Sequence, residues 1–395
     1  MMSFRGRPLQ LRRIMTTGTW IPQIDGLRFI AILSVVLFHM MKELEQRAGR
    51  AIEIQPRYEF LAGLVSNGNR GVLLFFVISG YIIARPFLRE HRLRGKPVDL
   101  GAYYLRRLTR LEPPYVLILL LTSVVIFVAY GMPLRTLLPH LVASTFYLHG
   151  LVYRTRSTIS FVAWSLEIEA QFYLLAPLLG TIYMVRNTMV RRSVMIALMV
   201  VGSAYASYSD WPPESVFNWT LVGYLHYFMA GFLLADIVEG HQQESRRGRG
   251  WDLVSLVGWP LAFLWLGAWQ LEAVLPLLFL VLCLAAFYGP ASSRFFRRPF
   301  VALTGGMCYS FYLTHILAIA LVFKASRHLI VFGDFLANLA LQVAAMTIPV
   351  ALFGTLYYVA VERPCMDPQW PRKVWRAVTR PRGSQPVVEP PNPAT

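Results

Sequence analysis

VLILLLTSVVIFVA, residues Val116–Ala129, contains no charged residue and no polar stripe at helical spacing. A helix buried in a water-soluble domain shows such a stripe on its outer face. Two further runs read the same way, Val194–Ala206 (VMIALMVVGSAYA) and Leu253–Trp269 (LVSLVGWPLAFLWLGAW). A bilayer core asks for about 20 apolar residues per crossing helix, so the solvent these runs are built for is lipid. Composition agrees: of 395 residues, 56% are hydrophobic and only 15% charged, against roughly 25% charged in soluble domains. Mean hydropathy is +0.48. The expected fold is all-α, a polytopic transmembrane helix bundle.

Ten spans are expected, at 24–41, 70–88, 113–131, 162–185, 193–209, 217–238, 252–269, 271–289, 305–323 and 335–360. Leu137–Val152, which carries His140 and His149, is too short to cross and reads as interfacial or re-entrant. Charge bias tests the count. With the N-terminus inside, the inner segments hold 27 Lys and Arg and the outer ones 10, as the positive-inside rule requires. Making 137–152 a crossing would put the Arg186/Arg191/Arg192 and Arg294/Arg297/Arg298 loops outside, so that alternative loses. The organisation is then a cytoplasmic basic tail (1–23), a membrane domain (24–364) and a cytoplasmic tail (365–395), Pro-rich from Pro386 and expected to be disordered. No internal repeat is visible, which weakens a transporter built from inverted repeats.

The net charge of +17 invites a nucleic-acid reading, but the basic residues are spread over many short loops rather than gathered in one stripe, so no nucleic-acid partner is expected. Cys283, Cys308 and Cys365 form no CxxC and no Cys/His cluster, and are read as free thiols with no metal site. A cleavable leader is not expected: the first apolar run contains Asp25 and Arg28 and lacks an A-x-A exit. Nor is a fused hydrolase-like domain, so a stand-alone form is expected. GxSxG, Walker, HExxH and Rossmann patterns are absent.

Ionisable groups inside spans are costly and mark functional candidates. Arg28 and His39 lie eleven positions apart in the first span, which puts them on one helix face and about 16 Å apart along the axis. Arg28 is expected near the cytoplasmic end, His39 toward the outer leaflet. Snorkelling of Arg28 to lipid phosphate and a bond from His39 to a neighbouring helix are the bland alternatives. Arg106, Arg107 and Arg110 crowd the entry to the third span, and the last two share a face if helical. They suit lipid phosphates or the phosphates of a nucleotide-type donor. Trp164–Tyr173 (WSLEIEAQFY) brings Ser165, Glu167 and Glu169 to the outer start of the fourth span. A carboxylate there can serve the helix dipole or orient a histidine. Tyr309–His315 (YSFYLTH) sets His315 near mid-span among hydroxyls, as a satisfied core histidine or a site-lining one. Ser79–Gly80, in Gly71–Tyr81 (GVLLFFVISGY), reads first as a small pair for close helix packing.

Together these stretches resemble the acyltransferase-3 family of integral membrane O-acyltransferases, whose members O-acylate bacterial polysaccharides and some macrolides. The resemblance runs from about Ile24 to Pro364. Ile24–His39 is similar to the family's first-helix motif, with Arg28 and the essential histidine at His39. Gly71–Tyr81 resembles GVDLFFVLSGF, with Leu73 where an Asp is usual, and Arg107–Arg110 matches an RxxR pair. Trp164–Tyr173 resembles WSLSVEEQFY, which gives Glu169 the main glutamate position and leaves Ala170 in place of the second. Tyr309–His315 resembles SLYLWH, and Val361–Pro364 (VERP) the closing helix end.

The resemblance implies a bacterial inner-membrane enzyme that moves an acyl group, acetyl as the leading expectation, from cytosolic acetyl-CoA or another acyl-CoA to a hydroxyl of a carbohydrate or glycoside. The acyl-CoA is a co-substrate; no bound cofactor is implied. His39 would be the general base or a transient acyl carrier, Glu169 its partner. Arg28, Arg107 and Arg110 would hold the donor, while Asp25, Ser79, Trp164, Ser165, Glu167, Tyr309 and His315 would line the site. The rival is a transporter or exporter of a small acid or glycan, which would move its substrate without making an ester.

Overall fold

The computed structural model describes residues 3–4, 7–8, 13–14, 20–48, 54–208, 212, 214–239, 247–264, 269–329, 333–367 and 369–371. The Pro-rich end expected to be disordered lies outside them. Apart from a two-residue antiparallel pairing of β1 (Ser3–Phe4) with β2 (Arg7–Pro8), the described residues fold as helices and their connections.

Helix α1 (Pro22–Ala48) opens on a proline, whose fixed φ and missing N–H suit a first helical position. The short α2 (Glu59–Ser66) leads into α3 (Arg70–Arg92). Helix α4 (Leu100–Tyr130) contains Val116–Ala129. The Asp99 carboxylate accepts the Ala102 N–H at 3.0 Å to cap its start, and Gly131, at φ +64°, ends it. Leu117, Leu120, Leu121, Val124, Phe127 and Val128 are all exposed. Their spacing makes one exposed apolar helix face, of the kind a lipid environment favours.

The short α5 (Leu134–Thr145) and α6 (His149–Tyr153) meet at Tyr147, a left-handed residue at φ +58°. At 12 and 5 residues they are too short to cross, as expected. Then come α7 (Ala163–Gly180), α8 (Thr188–Tyr208), α9 (Leu225–Glu239), α10 (Arg249–Phe263), α11 (Trp269–Tyr288), α12 (Pro290–Phe296), α13 (Pro299–Gly306), α14 (Cys308–Ser326) and α15 (Phe335–Tyr357). A wide π-type turn, Tyr358–Glu362, closes α15 before the one-turn α16 (Arg363–Cys365).

Among the described residues, six helices have the length and apolarity of a crossing: Pro22–Gln46, Pro56–Arg92, Leu100–Tyr130, Thr188–Ser207, Cys308–Ser326 and Phe335–Cys365. A seventh candidate is broken, Ala273–Tyr288 turning through 91° into Pro290–Phe296. The other three expected spans correspond to shorter or more polar helices. Helix α7 has 18 residues and carries Glu167 and Glu169, and α9 and α10 have 15 each, about 22 Å. Helix α9 is buried along nearly its whole length, so protein rather than lipid surrounds it.

Lipid is as apolar as leucine, so close approach at small residues, not exclusion from water, holds such helices together. Helices α3 and α9 meet backbone to backbone at Gly80 and Gly231: a Cβ on Gly231 would fall 2.2 Å from the Val77 carbonyl oxygen and 2.7 Å from the Gly80 Cα. Ser79–Gly80 is therefore the packing contact its composition suggested.

Away from the cavities, Asp236 on α9 accepts from Arg191 and Arg192 on α8, each Nε at 2.7 Å. Removing one partner of a buried pair leaves charge uncompensated, at a cost of about 3–5 kcal/mol. Asp236→Ala should therefore lower the melting temperature of the detergent-solubilised protein sharply; an unchanged melting curve would show the cluster contributes nothing.

Candidate active site

Three cavities lie in series between the Arg28 end of α1 and its His39 end. The near one, about 720 Å³, is bounded by α1, the end of α3, the connection to α4 and the start of α4. Arg13, Arg28, Arg85, Arg89, Arg106, Arg107, Arg110 and Lys96 face it, with Asp25 and Asp99 as its carboxylates. The Arg28 Nη1 donates to Asp25 at 2.6 Å, one turn away, while Trp20 Nε1 donates to the other carboxylate oxygen at 2.8 Å and Arg13 reaches to 3.5 Å. Gly305 of α13 presses on this turn: a Cβ there would meet the Asp25 carbonyl oxygen at 1.7 Å.

Arg85 and Arg89 are already paired with Glu239, at 2.8 and 3.3 Å. Arg107 stacks over the Tyr103 and Tyr173 rings, at 5.7 and 5.2 Å. Burial, with the like charges of Arg110 and Arg28, pulls the Arg13 pKa down to about 9. It stays cationic at neutral pH, in a cluster short of counter-charge.

The middle cavity is a neck of about 100 Å³. It shares Arg13, Arg28, Arg107 and Arg110 with the near cavity and Val72 and Tyr312 with the far one. Ser79 and Tyr173 both donate short hydrogen bonds to the Glu169 carboxylate. Ser165 and Tyr312 hydroxyls share a bond of 2.5 Å, and Tyr312 donates on to the Val162 carbonyl at 2.9 Å. Tyr309 donates to the Leu111 carbonyl at 2.8 Å. The π-type turn at the end of α15 carries Glu362 into this wall, where one carboxylate oxygen accepts from the Ser310 N–H and hydroxyl at 3.0 and 2.6 Å. Its other oxygen has no hydrogen-bond partner among the described residues and lies 4.0 Å from Arg110.

The far cavity, about 420 Å³, contains His39 with aromatic walls from Phe38, Phe161, Trp164, Trp219, Tyr224 and Tyr312. His39 Nδ1 lies 2.9 Å from the Val35 carbonyl oxygen and 3.3 Å from His315 Nε2. His315 Nδ1 lies 3.0 and 2.8 Å from the Phe311 and Tyr312 carbonyl oxygens. A carbonyl only accepts, so in each neutral ring Nδ1 carries the proton and Nε2 the lone pair. His315 is fully buried behind His39, leaving His39 Nε2 as the basic atom of a ring that borders the cavity.

The sequence candidates fall into place unevenly. Arg28 and His39 stand in different cavities, and Arg28, Arg107 and Arg110 share the near one. The expected pairing of Glu169 with His39 does not form: Glu169 is held in the neck by Ser79 and Tyr173, and it is His315 that touches His39. Two hydroxyls from other turns and helices serve Glu169 where Ala170 supplies nothing. Glu167 is not a lining residue; its buried carboxylate accepts the Gly150 N–H at 2.7 Å at the start of α6. Two helical positions turn it about 200° from Glu169. Trp164 lines the far cavity, Ser79, Ser165 and Tyr309 line the neck, and Asp25 lies beside Arg28. Arg13, Arg156, Tyr173, Trp219 and Glu362 were not singled out. Tyr173 and Glu362 lay inside quoted motifs, whereas nothing in the local pattern marked Arg13.

The profile of the acyltransferase domain of the acyltransferase-3 family matches residues 21–359, and the chain belongs to that family. O-acetyltransferase OatA of Staphylococcus aureus strain NCTC 8325 is 28% identical over 202 residues, 48% of this chain and 30% of that protein. SACOL0978 of S. aureus strain COL is 30% identical over 169 residues, 40% of this chain and 24% of that protein. The match thus spans less than a third of either relative's length. No solved structure matches the chain.

Proposed function

We propose that the protein is a membrane O-acyltransferase that moves an acyl group, acetyl by preference, from acyl-CoA on the cytoplasmic side to a hydroxyl of a carbohydrate or glycoside on the other side. The observation that carries this reading is the series of cavities leading from clustered arginines to His39. The family and its O-acetyltransferase relative support it. The positive-inside bias supports an inner-membrane orientation with the arginine end and both termini in the cytoplasm.

In this mechanism Arg28, Arg107 and Arg110, joined by Arg13, grip the donor phosphates through charge-assisted hydrogen bonds. The pantetheine arm enters the neck and presents the thioester toward the far cavity, so the acyl group crosses while the nucleotide stays behind. His39 Nε2 takes the proton of the acceptor hydroxyl as its oxygen attacks the thioester carbon. The C–S bond then breaks, the new ester leaves with the acceptor, and the thiolate recovers the proton as free CoA. The Val35 carbonyl holds the His39 tautomer, His315 its ring angle, and Glu169 holds Tyr173, under the guanidinium of Arg107.

The test is ester formation by the purified protein in sealed vesicles, with radiolabelled acetyl-CoA on one side and a glycoside on the other. Labelled ester should appear only when donor and acceptor lie on opposite faces. Glycoside crossing without an ester would favour a transporter, and ester formed with both substrates on one face would remove the trans-membrane route.

A further inference from the structure

The far cavity has a charge that the proposed chemistry does not use. Among its described lining residues the basic side chains are Arg156 and His39, and none is a carboxylate. The nearby carboxylates are committed elsewhere, Glu169 to Ser79 and Tyr173 and Glu167 to the Gly150 N–H. Arg156 has no ion pair among the described residues; its guanidinium lies 4.3 Å over the Phe161 ring at the cavity rim. Stacking leaves the edge of the guanidinium fork open to an anion. Leu73 and Val72 add apolar wall to the cavity, which does nothing to offset the positive charge.

Aromatic faces from Trp164, Trp219 and Tyr224, with the Asn69 and Asn218 amides, complete the enclosure. Apolar walls with a few directed polar groups are what a ring-shaped ligand needs. We infer that the acceptor is a glycoside bearing an anionic group, a carboxylate or a phosphate, read by Arg156 while its ring lies against the aromatic walls and its hydroxyl meets His39. This rests on the acyltransfer reading and adds the acceptor's charge to it. Like-charge acceptors would be rejected at the same rim, and a rim charge also steers the anion inward.

The test measures binding apart from catalysis. The full chain in phosphatidylcholine nanodiscs is dialysed against methyl glucuronide, glucose 6-phosphate and neutral methyl glucoside. One or both charged sugars should bind about tenfold more tightly than the glucoside, as one charge-assisted contact supplies. The preference should shrink as salt rises, because the rim is exposed. In Arg156→Ala the ratio should fall to about one, and Arg156→Lys should keep part of it. Equal binding of charged and neutral sugars, no binding of either charged sugar, or a ratio that survives Arg156→Ala would each overturn the inference. So would loss of the ratio in discs containing phosphatidylglycerol, which would make lipid phosphate the ligand of Arg156. If the charged sugars bind selectively and no acetyl ester forms, the acyltransfer reading fails and the charge preference stands.

Discussion

Replacing His39 with alanine is expected to lower ester formation by about 10²–10⁴-fold, the usual contribution of a general base. The variant should still insert and bind both substrates, because His39 takes part in no ion pair among the described residues and its removal leaves no charge there unpaired. The His315→Ala variant separates this role from a structural one. The Val35 carbonyl keeps the His39 proton on Nδ1, and His315 packs against that edge of the ring at 3.3 Å; misplacing a base by about an ångström costs on the order of 10²-fold. The loss should fall on kcat, with KM for donor and acceptor unchanged. Rates measured with acetyl-CoA and a glycoside decide both: full turnover in His39→Ala would remove it from the chemistry. A loss in His315→Ala confined to protein yield would make that residue packing only.

Arg107→Gln is expected to raise KM for acetyl-CoA by about 10–100-fold, since a charge-assisted hydrogen bond contributes roughly 1.5–3 kcal/mol. Arg107 is the informative choice among the arginines. It stacks on Tyr103 and Tyr173 and pairs with no carboxylate among the described residues, whereas removing Arg28 or Arg110 would strip charge from Asp25 or Glu362. Acetylpantetheine lacks the nucleotide phosphates, so its KM should not respond to the substitution. Equal effects on the two donors would mean that Arg107 shapes the neck rather than grips phosphate.

Periodicity alone identified the lipid-facing helices well. Val116–Ala129 reads as a crossing because every side of it is apolar, and α4 turns Leu117, Leu120, Leu121, Val124, Phe127 and Val128 outward. The number of crossings was harder to read for the same reason. Helix α9 is as apolar as a span yet only 15 residues long, because hydropathy does not distinguish a protein neighbour from a lipid one. Within the candidate site, helical spacing put Arg28 and His39 on one face of α1, and the structure sets them in two cavities. The partner of His39 was not legible, since His315 is 276 positions away and its approach depends on how α14 packs against α1. Only the motif resemblance set Glu169 above Glu167 in the sequence; the angle of α7 decides that one serves a backbone N–H and the other a pair of hydroxyls. Arg13 precedes the first helix and becomes visible only when its guanidinium is seen against Asp25.

The narrowness of the neck has an electrical consequence. In the proposed route the two vestibules open to opposite faces of a bilayer, which would leave little low-dielectric material between them, so the membrane voltage would fall mostly across the 100 Å³ constriction at Glu169, Tyr173 and Tyr312. An energised membrane tolerates such a thin septum only if water and ions do not file through it. In that route the hydroxyl–carboxylate bonds lining the neck would also serve as insulation, and a thioester threaded past them would act as a stopper. An acyl group making that passage would travel in the steepest part of the field, and being uncharged it would feel almost none of it.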